Sequence, residues 1–93
     1  MQSFIVERYI PDRDVAHLIG IAERLEQAQF GRGVRYRGSI IVPGDEACLC
    51  LFDADDADTV RAANLALGLP VARIVTAVVL PALRSTPEPL PFA

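Results

Sequence analysis

The residues of this 93-residue chain with the means to do chemistry are few. Glu7 and Tyr9 lie two apart in a β-rich segment, so strand alternation puts both on one face. In a second such segment the same alternation groups Arg35, Ser39 and Ile41, with Tyr36 and Arg37 beside them. Glu7, Tyr9, Arg35, Tyr36 and Ser39 are therefore the candidate ligand-binding set. It holds a carboxylate for acid/base work, hydroxyls for hydrogen bonding and a guanidinium for an anionic group. If the first strand is central, Glu7 is partly desolvated and needs a cationic partner, which Arg35, Arg37 or Arg73 could supply. That pairing can be structural, or it can belong to a site.

Metal chemistry has little to draw on. His17 is the one imidazole, and helical spacing places it on a solvent-facing side. It is the single candidate metal ligand, with carboxylates of another subunit as its helpers. Cys48 and Cys50 share one strand face, at a spacing poor for a mutual disulfide, and read as buried free thiols. They serve a soft metal only if they face a cavity. The run Asp53, Asp55, Asp56, Asp58 falls where a helix begins and reads as capping, since its spacing is not that of a calcium loop. Gly31-x-Gly33 follows a helix instead of a strand, so it is no dinucleotide fingerprint. Ser39, His17 and an Asp make only a nominal triad.

The elements that must position these groups alternate in a simple order. Ser3–Tyr9 reads as a strand ended by Pro11. Asp12 or Asp14 caps a helix running to about Phe30, with apolar positions Val15, Leu18, Ile19, Ala22, Leu25 and Ala28. Val34–Val42 and Ala47–Phe52 are strands joined at Pro43-Gly44. Asp55-x-x-Asp58 opens a second helix with Val60, Ala63, Leu67 and Ala62 or Ala66 inward, closed by Gly68 and Pro70. Arg73–Leu80 is the last strand. The order βαββαβ, with a faint internal repeat, gives an α+β ferredoxin-like sandwich: a four-stranded antiparallel sheet with both helices on one face. It occupies residues 1–80, and residues 81–93 form a Pro-rich tail.

The sheet ought to be apolar on the helix side alone. Here both faces of the third and fourth strands are apolar. The chain is 52% hydrophobic with mean hydropathy +0.31, and a domain this small buries only roughly 60–65% of its unfolded surface. The second face is expected to pack on its copy in another subunit, giving a homodimer of the α+β barrel kind. Net charge is −3, and all nine cations are Arg without a basic patch, which argues against nucleic-acid binding. No apolar run approaches a membrane span and no secretory signal opens the chain, so a cytoplasmic protein is expected.

Taken together, VERY at 6–9, GVRY at 33–36, Ser39, DEACLCLFDA at 45–54 and GLPVARIV at 68–75 resemble one small bacterial family. Its members are ferredoxin-like domains of unknown function (domain of unknown function 4242), and one branch is described as nickel-binding. The resemblance spans about residues 3–80 and implies a βαββαβ dimer. It implies nickel as a cofactor without supplying a ligand set. Two functions follow. One is a non-enzymatic protein binding a small ligand or metal ion. The other is a cofactor-independent monooxygenase, cyclase or isomerase, with an apolar substrate between sheet and helices, Glu7 as acid/base and Tyr9 or Tyr36 as donor. The single histidine favours binding.

Overall fold

A computed structural model describes residues 1–11, 14–31 and 33–80. The strands are β1 (Gln2–Tyr9), β2 (Val34–Val42), β3 (Ala47–Ala54) and β4 (Arg73–Ala77); the helices are α1 (Val15–Gln27) and α2 (Ala57–Ala66). The sheet is antiparallel in the order β2-β3-β1-β4, with β1 central, and the fold is the ferredoxin-like one the βαββαβ order predicts. The Pro-rich segment over 81–93 and the Asp12 alternative for the first cap lie outside the described residues.

Local chemistry sets the element ends. Asp14 caps α1 by accepting from the His17 amide at 3.0 Å. Asp56, one residue later than the sequence pattern indicates, caps α2, its Oδ1 accepting from the Thr59 amide at 2.8 Å and hydroxyl at 2.7 Å. Gly68, at φ +71°, ends α2: its amide donates to the Leu65 carbonyl and that of Leu69 to the Asn64 carbonyl. That is the paired bonding of a left-handed glycine cap. The first helix stops at Gln27, short of Phe30, and β4 stops at Ala77, short of Leu80.

The core lies between the helices and one sheet face. Phe4 and Val6 of β1, Cys48, Cys50, Phe52 and Ala54 of β3, Leu18, Ile21 and Leu25 of α1, and Val60 of α2 fill it. Along α1 the buried stripe is 18, 21, 25, so Val15 and Ile19, expected inside, stand exposed. Phe52 is the hub, with Phe30 edge-on at 5.7 Å and Tyr36 tilted at 5.4 Å.

One irregularity changes which residues face which way. Tyr36 pairs with Phe52 but Gly38 pairs with Leu51, so Arg37 is an extra residue, a β-bulge. Gly38, at φ +140°, takes a backbone setting that side-chain-bearing residues rarely adopt. Beyond the bulge the alternation is inverted. Tyr36, Ser39 and Ile41 face the helices, while Arg35 is placed with Gly38 and Ile40 on the opposite face. Strict alternation grouped Arg35 with Ser39; the bulge separates them.

The second face of the sheet is open. Ile5, Leu49, Leu51, Val75 and Ala77 lie partly exposed there, and Ile40 is 57% exposed. Ile5, Ile40, Leu49, Leu51 and Ala77, with Val78 and Val79, line a shallow cavity of about 540 Å³. Among the described residues, no helix is long and apolar enough to cross a membrane.

Candidate functional site

The polar residues fall into two groups on opposite faces. On the open face, Arg73 Nε donates to Glu7 Oε2 at 2.5 Å and the Tyr9 hydroxyl donates to Oε1 at 2.9 Å. Arg73 is thus the partner the carboxylate required. The Arg73 bond first, and the Tyr9 bond next, hold the Glu7 carboxyl below its ordinary value of 4.5 and keep it ionised. The same bond raises the Tyr9 phenol. Arg37 pairs with Asp53 at 3.4 Å, and Ser3 donates to Asp53 at 2.7 Å.

A carboxyl whose folded-state pKa is lowered stabilises the fold fully above its unfolded value, and the contribution fades as pH falls through the folded value. Glu7→Gln should therefore melt below wild type at neutral pH, and the gap should close below about pH 4.5. Thermal unfolding of both proteins across that range checks it. A gap that persists unchanged into acid would refute the assignment.

The second group crosses the core under the helices. The Tyr36 hydroxyl and Ser39 Oγ are 2.6 Å apart, Ser39 Oγ donates to Cys50 Sγ at 3.0 Å, and the two sulfurs are 3.5 Å apart. Both thiols are free and fully buried. Arg8 stands opposite Cys48 on the neighbouring strand and is also fully buried. Its Nη2 donates to Asn64 Oδ1 at 2.7 Å and its Nη1 to the Pro70 carbonyl at 2.9 Å, while its Nε has no partner. Asn64 is held in turn by donating to the Val60 carbonyl at 2.9 Å.

This row tunes the sulfurs. The hydrogen bond from Cys48, then that from Ser39 and the charge of Arg8, lower the Cys50 thiol to about 6 against the opposing effect of burial. Cys48 is raised, chiefly by its bond to Cys50 and by burial. The two sulfurs therefore titrate as a pair. Burial raises the Tyr36 phenol.

One end of the row opens outward. Tyr36 and Ser39 line an open cavity of about 450 Å³ between α1 and β2, whose other walls include Ile19, Glu23, Glu26 and Ile41. Of the five ligand-binding candidates, the structure brings together Glu7 with Tyr9, and Tyr36 with Ser39. Arg35 is exposed and joins neither pair. His17 is exposed beside a second cavity. Among the described residues, no three His, Cys, Asp or Glu side chains are placed to hold a metal ion, and the aspartate run caps α2 and pairs with Arg37.

Sequence reading missed Arg8 and Asn64. Arg8 shares its strand face with Phe4 and Val6, which signals burial, whereas Asn64 carries no comparable signal.

The family model for nickel responsive proteins, described as SCO4226-like, matches residues 4–76. The chain belongs to this SCO4226-like family. The match covers all four strands except their outermost residues, and it accords with the resemblance carried by the motifs above. Among curated proteins and among solved structures, none matches the chain.

Proposed function

We propose that this SCO4226-like protein is a non-enzymatic, cytoplasmic homodimer that binds a small ligand or a metal ion, nickel being the ion its family's description points to. One observation carries the binding reading. The hydroxyls of Tyr36 and Ser39 form a preset polar pair on the wall of the cavity between α1 and β2, with an ionisable thiol behind them. Glu23 and Glu26 on the facing α1 wall outnumber Arg37 on the β2 wall and favour a cation. The open sheet face, apolar at Ile5, Leu49, Leu51 and Val75, supports the dimer. Two reduced thiols suit a reducing compartment. The catalytic alternative needs Glu7 between sheet and helices; Glu7 instead lies on the open face, tied to Arg73 and Tyr9.

Native mass spectrometry of untagged protein tests this reading, since a polyhistidine tag would bind nickel by itself. A dimer carrying a small ligand or ion is expected, with the cargo reduced in Tyr36→Phe and Ser39→Ala. A stable monomer at micromolar concentration, or cargo unaffected by either change, would count against it.

Nickel binding itself should be weak and non-stoichiometric, because His17 is the one imidazole and no three His, Cys, Asp or Glu side chains among the described residues are placed to hold an ion. Isothermal titration reads this. Tight uptake of one ion per subunit, abolished in His17→Ala, would move the site to His17.

A further inference from the structure

We propose that the cavity between α1 and the turn after α2 binds a small carboxylate with an apolar body, held by the guanidinium of Arg24 and the imidazole of His17. The site is separate from the Tyr36–Ser39 cavity and does not rest on that reading.

Helical spacing builds the first wall. His17, Gly20 and Arg24 recur on one face of α1, with Ala16 beside them. Gly20 leaves that wall low: a Cβ added there would meet no atom within 4 Å. Gly68, Leu69 and Pro70 form the opposite wall. Ile21 and Leu69 are buried, so the floor is apolar. The space measures about 570 Å³, inside the roughly 300–1,000 Å³ range of small-molecule sites.

Two arginines fix the far wall. Arg24 Nη2 donates to the Leu67 carbonyl at 2.6 Å, and buried Arg8 donates through Nη1 to the Pro70 carbonyl at 2.9 Å. The turn is thus held at both ends, and the cavity is preformed. The Leu67 bond also restrains the Arg24 guanidinium where it lines the cavity. Among the described residues it is the one hydrogen bond that guanidinium makes, so most of its planar fork is left for a ligand.

Charge selects the ligand. The chain carries a net −3, yet among the described residues no Asp or Glu lines this cavity. Asp14, nearby in sequence, is engaged in capping α1. The helix sorts its charges: Glu23 and Glu26 line the cavity toward β2, whereas His17 and Arg24 line this one. A single permanent cation suits a monoanion, and a planar guanidinium matches a carboxylate. The imidazole presents an N–H in either protonation state and supplies a second donor. The apolar floor receives the hydrocarbon body. Ile21 and Leu69 belong to the core on the helix side of the sheet, so the proposed dimer leaves the cavity open.

The test titrates isotope-labelled, untagged, full-length protein with hexanoate and with benzoate, followed by backbone amide chemical shifts. Saturable binding is expected, with the largest shifts over residues 16–24 and 68–69. Hexanamide, which lacks the charge, and acetate, which lacks the apolar body, should each bind about tenfold or more weakly than hexanoate, and so should inorganic phosphate. Arg24→Gln should weaken hexanoate about tenfold or more. Gly20→Leu sends a side chain into the empty space. It should abolish binding yet melt no lower than wild type, since leucine exceeds glycine in helix propensity. Tyr36→Phe should leave hexanoate binding unchanged, which separates this cavity from the one toward β2. The proposal is overturned if neither acid gives saturable shifts, if the shifts centre on another surface, or if hexanamide or phosphate binds as tightly as hexanoate. A folded Gly20→Leu protein that still binds overturns it too. Should Gly20→Leu melt early, Arg24→Gln and the hexanamide comparison decide.

Discussion

Asn64→Leu should lower the unfolding free energy by about 3 kcal/mol or more, although it exchanges a polar residue for an apolar one inside the core. The substitution removes the acceptor of Arg8 Nη2 and leaves a fully buried guanidinium bonded to the Pro70 carbonyl alone. Arginine cannot shed its proton, so the loss cannot be escaped by neutralisation. In a domain of this size the melting temperature should fall by more than about 10 °C. Arg8→Met/Asn64→Leu should recover most of that loss, because removing the buried charge together with its acceptor leaves no polar group unpaired at that contact. Equilibrium urea unfolding of wild type, Arg8→Met, Asn64→Leu and the double variant at one protomer concentration measures the coupling. A fall below about 1 kcal/mol for Asn64→Leu would show that the guanidinium finds another acceptor.

The second large effect concerns the open face. Val75 pairs with Ile5 in the middle of that face. In the proposed symmetric dimer, Val75→Asp enters the interface twice and buries two unpaired carboxylates. The dimer dissociation constant should rise on the order of 100-fold or more while each subunit remains folded. Cys50→Asp, on the helix side of β3 with no exposed surface, should instead unfold the protein. Light scattering and circular dichroism together separate the outcomes. A folded Val75→Asp protein with unchanged mass would remove the open face from the dimer.

Much of the architecture is legible in the residues. Period-2 and period-3.6 patterns, aspartate caps and the Gly68-x-Pro70 stop place all six elements, with errors of a few residues at their ends. Alternation also predicts the sharing of faces by Glu7 and Tyr9, and by Cys48 and Cys50. It fails at Arg37, where an inserted residue reverses it. Gly38 inside a strand pattern is the one local sign of such a bulge, and strict alternation overlooks it. The site is less legible because its closest contacts join distant segments. Arg8 meets Asn64 across 56 positions, and no local pattern encodes that meeting. The choice of Arg73 over Arg35 and Arg37 for Glu7 likewise follows from strand order, which local periodicity does not specify.

The bulge has a second effect, on the rim of the sheet. An edge strand offers unpaired amides and carbonyls to any passing strand, and proteins blunt such edges with bulges and charge. The order β2-β3-β1-β4 makes β2 one of the two edges, and at nine residues it is the longest strand. Arg37 breaks its register near the middle, and exposed Arg35 adds a second charge beside the break. The other edge, β4, is five residues long and begins with Arg73. Strand-to-strand stacking into fibrils is therefore resisted at both rims, which leaves the faces as the surfaces for the proposed association.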